Sequence, residues 1–156
     1  MDIQRARRLI AALVIPQLAG FLGALFTAPA IPSWYAGLNK PWFVPPSWLF
    51  APVWTALFLL MGLSLFLVWE KGDKGFRLAV SVFGVQLVLN IMWSAVFFGL
   101  RSPFLGLLEI AALWVAIAVN IAVFWRIRKA SGYLLVPYII WVSLAALLNY
   151  NIWILN

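Results

Sequence analysis

Five long apolar runs, at residues 9–27, 48–69, 76–100, 104–125 and 134–153, alternate with short polar breaks along the 156-residue chain. Each approaches the roughly 20 residues that a helix needs to cross the hydrocarbon of a bilayer. Lipid offers no partner for backbone polar groups, so a spanning segment of this kind must be helical. The pattern predicts an all-α membrane protein, a five-transmembrane-helix bundle forming one domain over residues 1–156. The first run follows Arg5, Arg7 and Arg8 as a signal peptide would, but with Pro16 and Gln17 inside it and an apolar length beyond that of a signal core it reads as a first span. Short breaks predict that consecutive helices pack as antiparallel neighbours. Pro16, Pro52 and Pro137 should kink spans one, two and five.

One stretch breaks the pattern. Residues 29–54 hold six of the nine prolines and four of the ten tryptophans. Proline removes a backbone donor and clashes with the preceding turn, so no single helix runs through it. Two readings follow: a rigid cap over a space that the helices enclose, or a belt of aromatics anchored at the membrane interface.

Composition narrows the chemistry. Hydrophobic residues make up 66% of the chain, against roughly 45–50% in soluble domains, so the runs are spans and not core helices. Without cysteine or histidine, the chain has no disulfide, no thiolate and no imidazole base, and neither a metal nor a resident cofactor is expected. The net charge of +7 does not point to nucleic acid, because the basic residues sit in the breaks. Nine of them, Arg5, Arg7, Arg8, Lys71, Lys74, Arg77, Arg126, Arg128 and Lys129, fall on one side, with Lys40 and Arg101 on the other. The positive-inside rule then places the N-terminus in the cytoplasm and the C-terminus and cap outside, for a bacterial inner membrane; an outer membrane stays open. Arg126, Arg128 and Lys129 are expected at anionic headgroups of membrane lipids.

Polar residues within the spans mark faces that avoid lipid. Gln86, Asn90 and Trp93 share one face of span three, with Phe97 a turn further on. Pro137, Trp141, Ala145 and Asn149 follow at steps of four in span five, with Tyr138 beside them, and Trp54 and Phe58 are four apart in span two. These faces either hold helices together or wall an aromatic pocket with amide donors, suited to a flat hydrophobic ligand. Gln17 is a further candidate for it. Glu109 is expected to pair with Arg101, Asn120 to serve helix packing, Lys40 to meet an acidic arm of a ligand, and Glu70 and Asp73 to decorate a solvated turn. Ala19 with Gly23, Gly20 with Ala24, Ala112 with Ala116 and Ala118 with Ala122 suggest close helix approach.

The runs WYAGLNKPWFVPP (34–46), PVWT (52–55), QLVLNIMWSAVFFG (86–99) and LLVPYIIWVSLAALLN (134–149), in this order over five spans, give the chain a resemblance to the TspO/MBR family over essentially its whole length. The resemblance implies a homodimeric bundle whose first loop covers a ligand pocket. It implies porphyrin ligands such as protoporphyrin IX and, in animal members, cholesterol and benzodiazepine-type drugs. By motif match the pocket wall would include Trp34, Tyr35 and Pro45 in the loop and Trp54 in span two. Gln86, Asn90 and Trp93 would add span three, and Trp141 with Ala145 span five. Some bacterial relatives promote light- and oxygen-dependent breakdown of bound protoporphyrin IX, and Trp54 and Trp141 align with the tryptophans implicated. The cholesterol pattern of animal members is incomplete here, because no Lys or Arg follows Tyr150. The implied function is a tetrapyrrole-binding membrane sensor. A carrier of porphyrins or other hydrophobic ligands and a structural bundle remain as alternatives.

Overall fold

In the computed structural model, which describes residues 2–72 and 75–156, five helices run α1 (Ile3–Ala30), α2 (Ser47–Lys71), α3 (Phe76–Ser94), α4 (Pro103–Ile127) and α5 (Lys129–Leu155). All five are long and apolar enough to cross a membrane. With the family shown below, they make the chain an integral, multi-pass membrane protein. The helix α1 starts six residues earlier than the apolar run, taking in Arg5, Arg7 and Arg8. Pro16, Pro52 and Pro137 lie inside α1, α2 and α5.

Around the bundle the order is α1, α2, α5, α4, α3, and α3 closes the ring against α1. The expectation that consecutive helices are neighbours therefore holds for three pairs and fails for α2 and α3, which make only a minor contact. Specific bonds explain the arrangement. Ser64 Oγ donates to the Ser131 carbonyl at 2.8 Å, joining α2 to α5. Trp114 Nε1 donates to Ser143 Oγ at 2.8 Å and Asn149 Nδ2 to the Pro103 carbonyl at 2.6 Å, joining α4 to α5. In lipid such bonds help choose partners, since apolar contact favours protein and hydrocarbon alike.

Small residues set the closest approaches. A Cβ on Gly62 would stand 2.6 Å from the Ala12 carbonyl oxygen and 2.8 Å from the Leu13 Cα, so α1 and α2 meet backbone to backbone there. At the same end Arg5 Nε lies 2.8 Å from Glu70 and Arg8 3.8 Å from it, so Glu70 ties α2 to α1 and does not merely decorate a turn. Asp73, and Lys74 of the basic set, lie outside the described residues. Because the Arg5 side chain is 57% exposed, Glu70→Gln is expected to cost under about 1 kcal/mol, read as a marginal, salt-sensitive fall in melting temperature. The pairs Ala112/Ala116 and Ala118/Ala122 lie at least partly on the outer surface of α4.

The C-terminal end of α3 departs from α-helical winding. Residues Ala95–Gly99 form one turn of π-helix, a widening often found beside functional sites. Its consequence is that two adjacent rings, Phe97 and Phe98, are both buried. The loop lies over these rings: Trp34 meets Phe97 edge-on at 5.5 Å and Tyr35 packs against Phe98 at 5.7 Å. Other loop aromatics point outward. Trp42 is 95% exposed and Trp48, opening α2, is 72% exposed, so the stretch serves as both cap and aromatic fringe.

Candidate functional site

A cavity of about 430 Å³ lies in the loop-side half of the bundle, between α1, α2 and α3 under the loop. Its floor follows from one absent side chain. Gly20 leaves room for the Phe58 ring, which would collide with a Cβ there, and Phe58 stacks on Trp54 at 5.5 Å. Across the floor Gln17 Nε2 donates to the Thr55 carbonyl at 3.1 Å, pinning α1 to α2. The inner wall is Asn90, Trp93, Ser94 and Phe98, and the roof is Ile31 and Tyr35. Gly23 faces Ser94 and keeps this wall clear, because a Cβ would sit 3.1 Å from the Ser94 hydroxyl. On the outer side the rim consists of Phe21, Ala24, Ala28, Ala51 and Thr55, all exposed. The cavity thus opens sideways between α1 and α2, at membrane depth.

Below it, the centre of the bundle is polar and closed. Tyr138 reaches inward from α5, donates to Gln86 Oε1 at 3.0 Å and accepts from Asn90 Nδ2 at 2.9 Å. Gln86 Nε2 lies 3.8 Å from the Met61 sulfur, a weak acceptor. Trp93 Nε1 donates to Asn149 Oδ1 at 3.2 Å, and Trp93 stacks on Phe97 at 5.4 Å. The Trp93 ring is thereby held as a fixed wall.

The cap is locked from above. Lys40 Nζ donates to the carbonyls of Tyr35, Leu38 and Ala36 at 2.8, 2.8 and 3.3 Å, and it lies 4.9 Å from the Tyr35 ring centre. Its three donors are spent on the short 3₁₀ turn Tyr35–Gly37, so Lys40 fastens the roof and does not face a ligand arm. Asn39 and Asn156 bond reciprocally: the Asn39 amide donates to Asn156 Oδ1 at 2.9 Å and Asn156 Nδ2 to the Asn39 carbonyl at 3.0 Å. These bonds clasp the loop to the end of α5. Burial pushes the Tyr35 phenol above its ordinary value of 10.0, so its hydroxyl keeps its proton at physiological pH.

Of the residues expected at a site, Tyr35, Trp54, Asn90 and Trp93 come together at the cavity, joined by Gln17. Gln86 and Tyr138 lie beneath it in the hydrogen-bonded centre. Trp34 packs on the π turn, and half-buried Pro45 stands away from the lining. Ala145 borders a separate cleft of about 30 Å³. Trp141 borders neither hollow and stands edge-on to Phe50 at 5.8 Å. The expected Arg101–Glu109 pair does not form. Arg101 is exposed, with a left-handed φ of 53°, while both Glu109 oxygens are buried and, among the described residues, without a hydrogen-bond partner. The Asn120 amide is likewise buried and unpartnered among them. Gly20, Gly23, Phe50 and Ser94 complete the cavity. The small-residue pairs of α1 were the available signal for the glycines, and they read equally well as helix packing.

The profile of the TspO/MBR family matches residues 12–154. The chain is 42% identical over 149 residues to the tryptophan-rich protein TspO of Archaeoglobus fulgidus, covering 96% of this chain and 97% of that one. It is 37% identical over 123 residues to the tryptophan-rich sensory protein of Cereibacter sphaeroides, covering 79% and 77%. To the translocator protein of Bos taurus it is 34% identical over 143 residues, covering 90% and 85%. The matched region takes in the loop, the π turn, the whole of α2, α3 and α4 and most of α1 and α5, and the chain belongs to the TspO/MBR family.

Proposed function

We propose that the protein is a membrane receptor that takes a flat hydrophobic ligand of the porphyrin class, such as protoporphyrin IX, into the cavity beneath its first loop. The observation that carries this reading is the cavity itself. At about 430 Å³ it falls in the range of small-molecule sites, roughly 300–1,000 Å³. Its walls are aromatic, with Trp54 and Phe58 on one side and Trp93 and Phe98 on the other, and Gln17 and Asn90 are the amides among them. Flat π surfaces favour stacked or edge-on contact with such rings. The name of the Cereibacter sphaeroides relative, tryptophan-rich sensory protein, supports signalling as the role.

The reading extends to slow breakdown of bound protoporphyrin IX in light, with the excited pigment as sensitiser and molecular oxygen as oxidant. Trp54 is the wall indole for that chemistry. Adding protoporphyrin IX to the purified protein is expected to quench its tryptophan fluorescence saturably, and Trp54→Phe to slow photobleaching of the bound pigment more than it weakens binding. Absence of saturable quenching would overturn the receptor reading, and unchanged bleaching in Trp54→Phe would remove that indole from the chemistry.

A second reading is favoured by the sideways opening between α1 and α2: a carrier that exchanges a hydrophobic ligand with the bilayer. Protein-dependent flux of protoporphyrin IX between vesicles separates it from a receptor that binds without flux. The functional unit in both readings is a homodimer, testable by crosslinking in the membrane.

The charge distribution supports a cytoplasmic N-terminus and an external cap in a bacterial inner membrane. The chain has no cysteine, and Gly37, exposed with nothing within 4 Å of a Cβ, accepts one. Gly37→Cys is expected to react with an impermeant maleimide in intact cells and Lys129→Cys only after permeabilisation. The opposite pattern would reverse the orientation.

A further inference from the structure

The cavity and the small cleft beside it are lined in common by Tyr35, Phe50, Trp93 and Phe98. The larger hollow touches no residue of α5, whereas the cleft reaches α5 at Ala145, Leu148, Asn149 and Ile152. A thin partition of four aromatic side chains therefore separates a ligand-sized space from the α5 wall.

Three of the four are fixed. Trp93 is bonded to Asn149 and stacked on Phe97. Tyr35 sits under the Lys40 clamp. Phe98 is enclosed by Trp34, Tyr35, Trp93 and Phe97. Phe50 differs: it lies in the first turn of α2, it is half-buried, and its one ring contact among the described residues is with Trp141. Behind it, Trp141 Nε1 is buried with no acceptor among the described residues. An indole N–H in that condition loses its hydrogen bond to water without replacement.

We infer that Phe50 is a swinging partition: when its ring turns aside, the cavity and the cleft join and Trp141 presents its N–H to an acceptor on the bound ligand. This deepens the reading of the cavity as a ligand site and rests on it. Phe50 is thereby a specificity-determining residue. Of the tryptophans, a ligand that fits the present hollow meets Trp54 and Trp93, and a larger planar ligand displaces Phe50 and gains Trp141.

The test uses full-length protein carrying 5-fluorotryptophan in detergent micelles, with the Trp54 and Trp141 fluorine resonances assigned from Trp54→Phe and Trp141→Phe. Xenon, which enters dry apolar cavities, is applied as a ligand-independent probe. It is expected to shift Trp54 in wild type, Phe50→Ala and Phe50→Leu alike, and to shift Trp141 only in the two Phe50 variants. Phe50→Leu keeps most of the bulk, so the comparison survives if Phe50→Ala fails to fold. With protoporphyrin IX, both resonances should shift in wild type, and Trp141→Phe should weaken binding about fivefold, the size of one buried hydrogen bond. Equal Trp141 response to xenon with and without Phe50, or none in any variant, overturns the partition. So does a porphyrin that shifts Trp54 but leaves Trp141 unmoved. If the porphyrin shifts neither resonance, the ligand reading itself fails, and the xenon comparison still decides the role of Phe50.

Discussion

Gly62→Ala is expected to lower the melting temperature in detergent by several degrees. The added methyl would stand 2.6 Å from the Ala12 carbonyl oxygen and 2.8 Å from the Leu13 Cα. Both are backbone atoms, so no side chain can turn away and α1 itself must retreat. Overpacking of this kind costs about 1–3 kcal/mol. At about 2–4 °C per kcal/mol for a chain of this length, the loss is about 2–12 °C. Gly84→Ala is the control. That glycine lies inside α3 with nothing within 4 Å of a Cβ, and alanine is the better helix former, so the midpoint should stay or rise. Equal loss at both positions would mean that helix propensity, and not the α1–α2 contact, sets the response. Because α1 and α2 also form the rim of the cavity, Gly62→Ala should weaken protoporphyrin IX binding in parallel.

Tyr138→Phe separates stability from binding. Its hydroxyl joins Gln86 Oε1 to Asn90 Nδ2, and without it both groups remain in the bundle centre lacking that partner. Each orphaned group costs about 1–3 kcal/mol. The two amides are four residues apart on α3 and can turn toward each other, recovering part of it. A net loss of about 2 kcal/mol is expected, seen as a fall of about 4–8 °C. Affinity for protoporphyrin IX should hold, since Tyr138 is not part of the cavity lining and Asn90 keeps its place in the wall. Replacing all three groups together, as Gln86→Leu, Asn90→Leu and Tyr138→Phe, should restore much of the stability, because an apolar centre leaves nothing unpaired. A triple variant less stable than Tyr138→Phe alone would show that shape, and not hydrogen bonding, governs this centre.

The five spans were legible because lipid demands long apolar runs, and the resemblance to the TspO/MBR family was legible in runs such as WYAGLNKPWFVPP. The start of α1 was not. Its first turns carry arginines that end an apolar run by composition, yet Arg5 and Arg8 belong on the helix because Glu70 receives them. Neighbour order was also hidden. Outward-facing Leu25, Val88 and Ile140 are as apolar as buried Leu57 and Ile117, so hydropathy does not distinguish a face meeting lipid from one meeting protein. At the site, the four-residue step between Trp54 and Phe58 and the stripe of Asn90 and Trp93 were visible as faces. The division of the space by Phe50 was not, since it depends on where α5 lies behind α2. Arg101 and Glu109 show the limit of proximity along the chain. Eight residues apart, they end in different surroundings, one exposed and the other with its carboxyl oxygens enclosed.

The place of α5 between α2 and α4 bears on how the protein is made. Ribosomes deliver α2 and α3 in succession, but those two must not settle side by side, because the slot beside α2 belongs to α5, which emerges after both α3 and α4. Until then the Ser64 hydroxyl lacks the Ser131 carbonyl that it meets in the finished fold, and the clasp from Asn156 to Asn39 has no second half. A nascent chain stalled after α4 can thus form every helix that walls the cavity and still leave its roof without the clasp to α5.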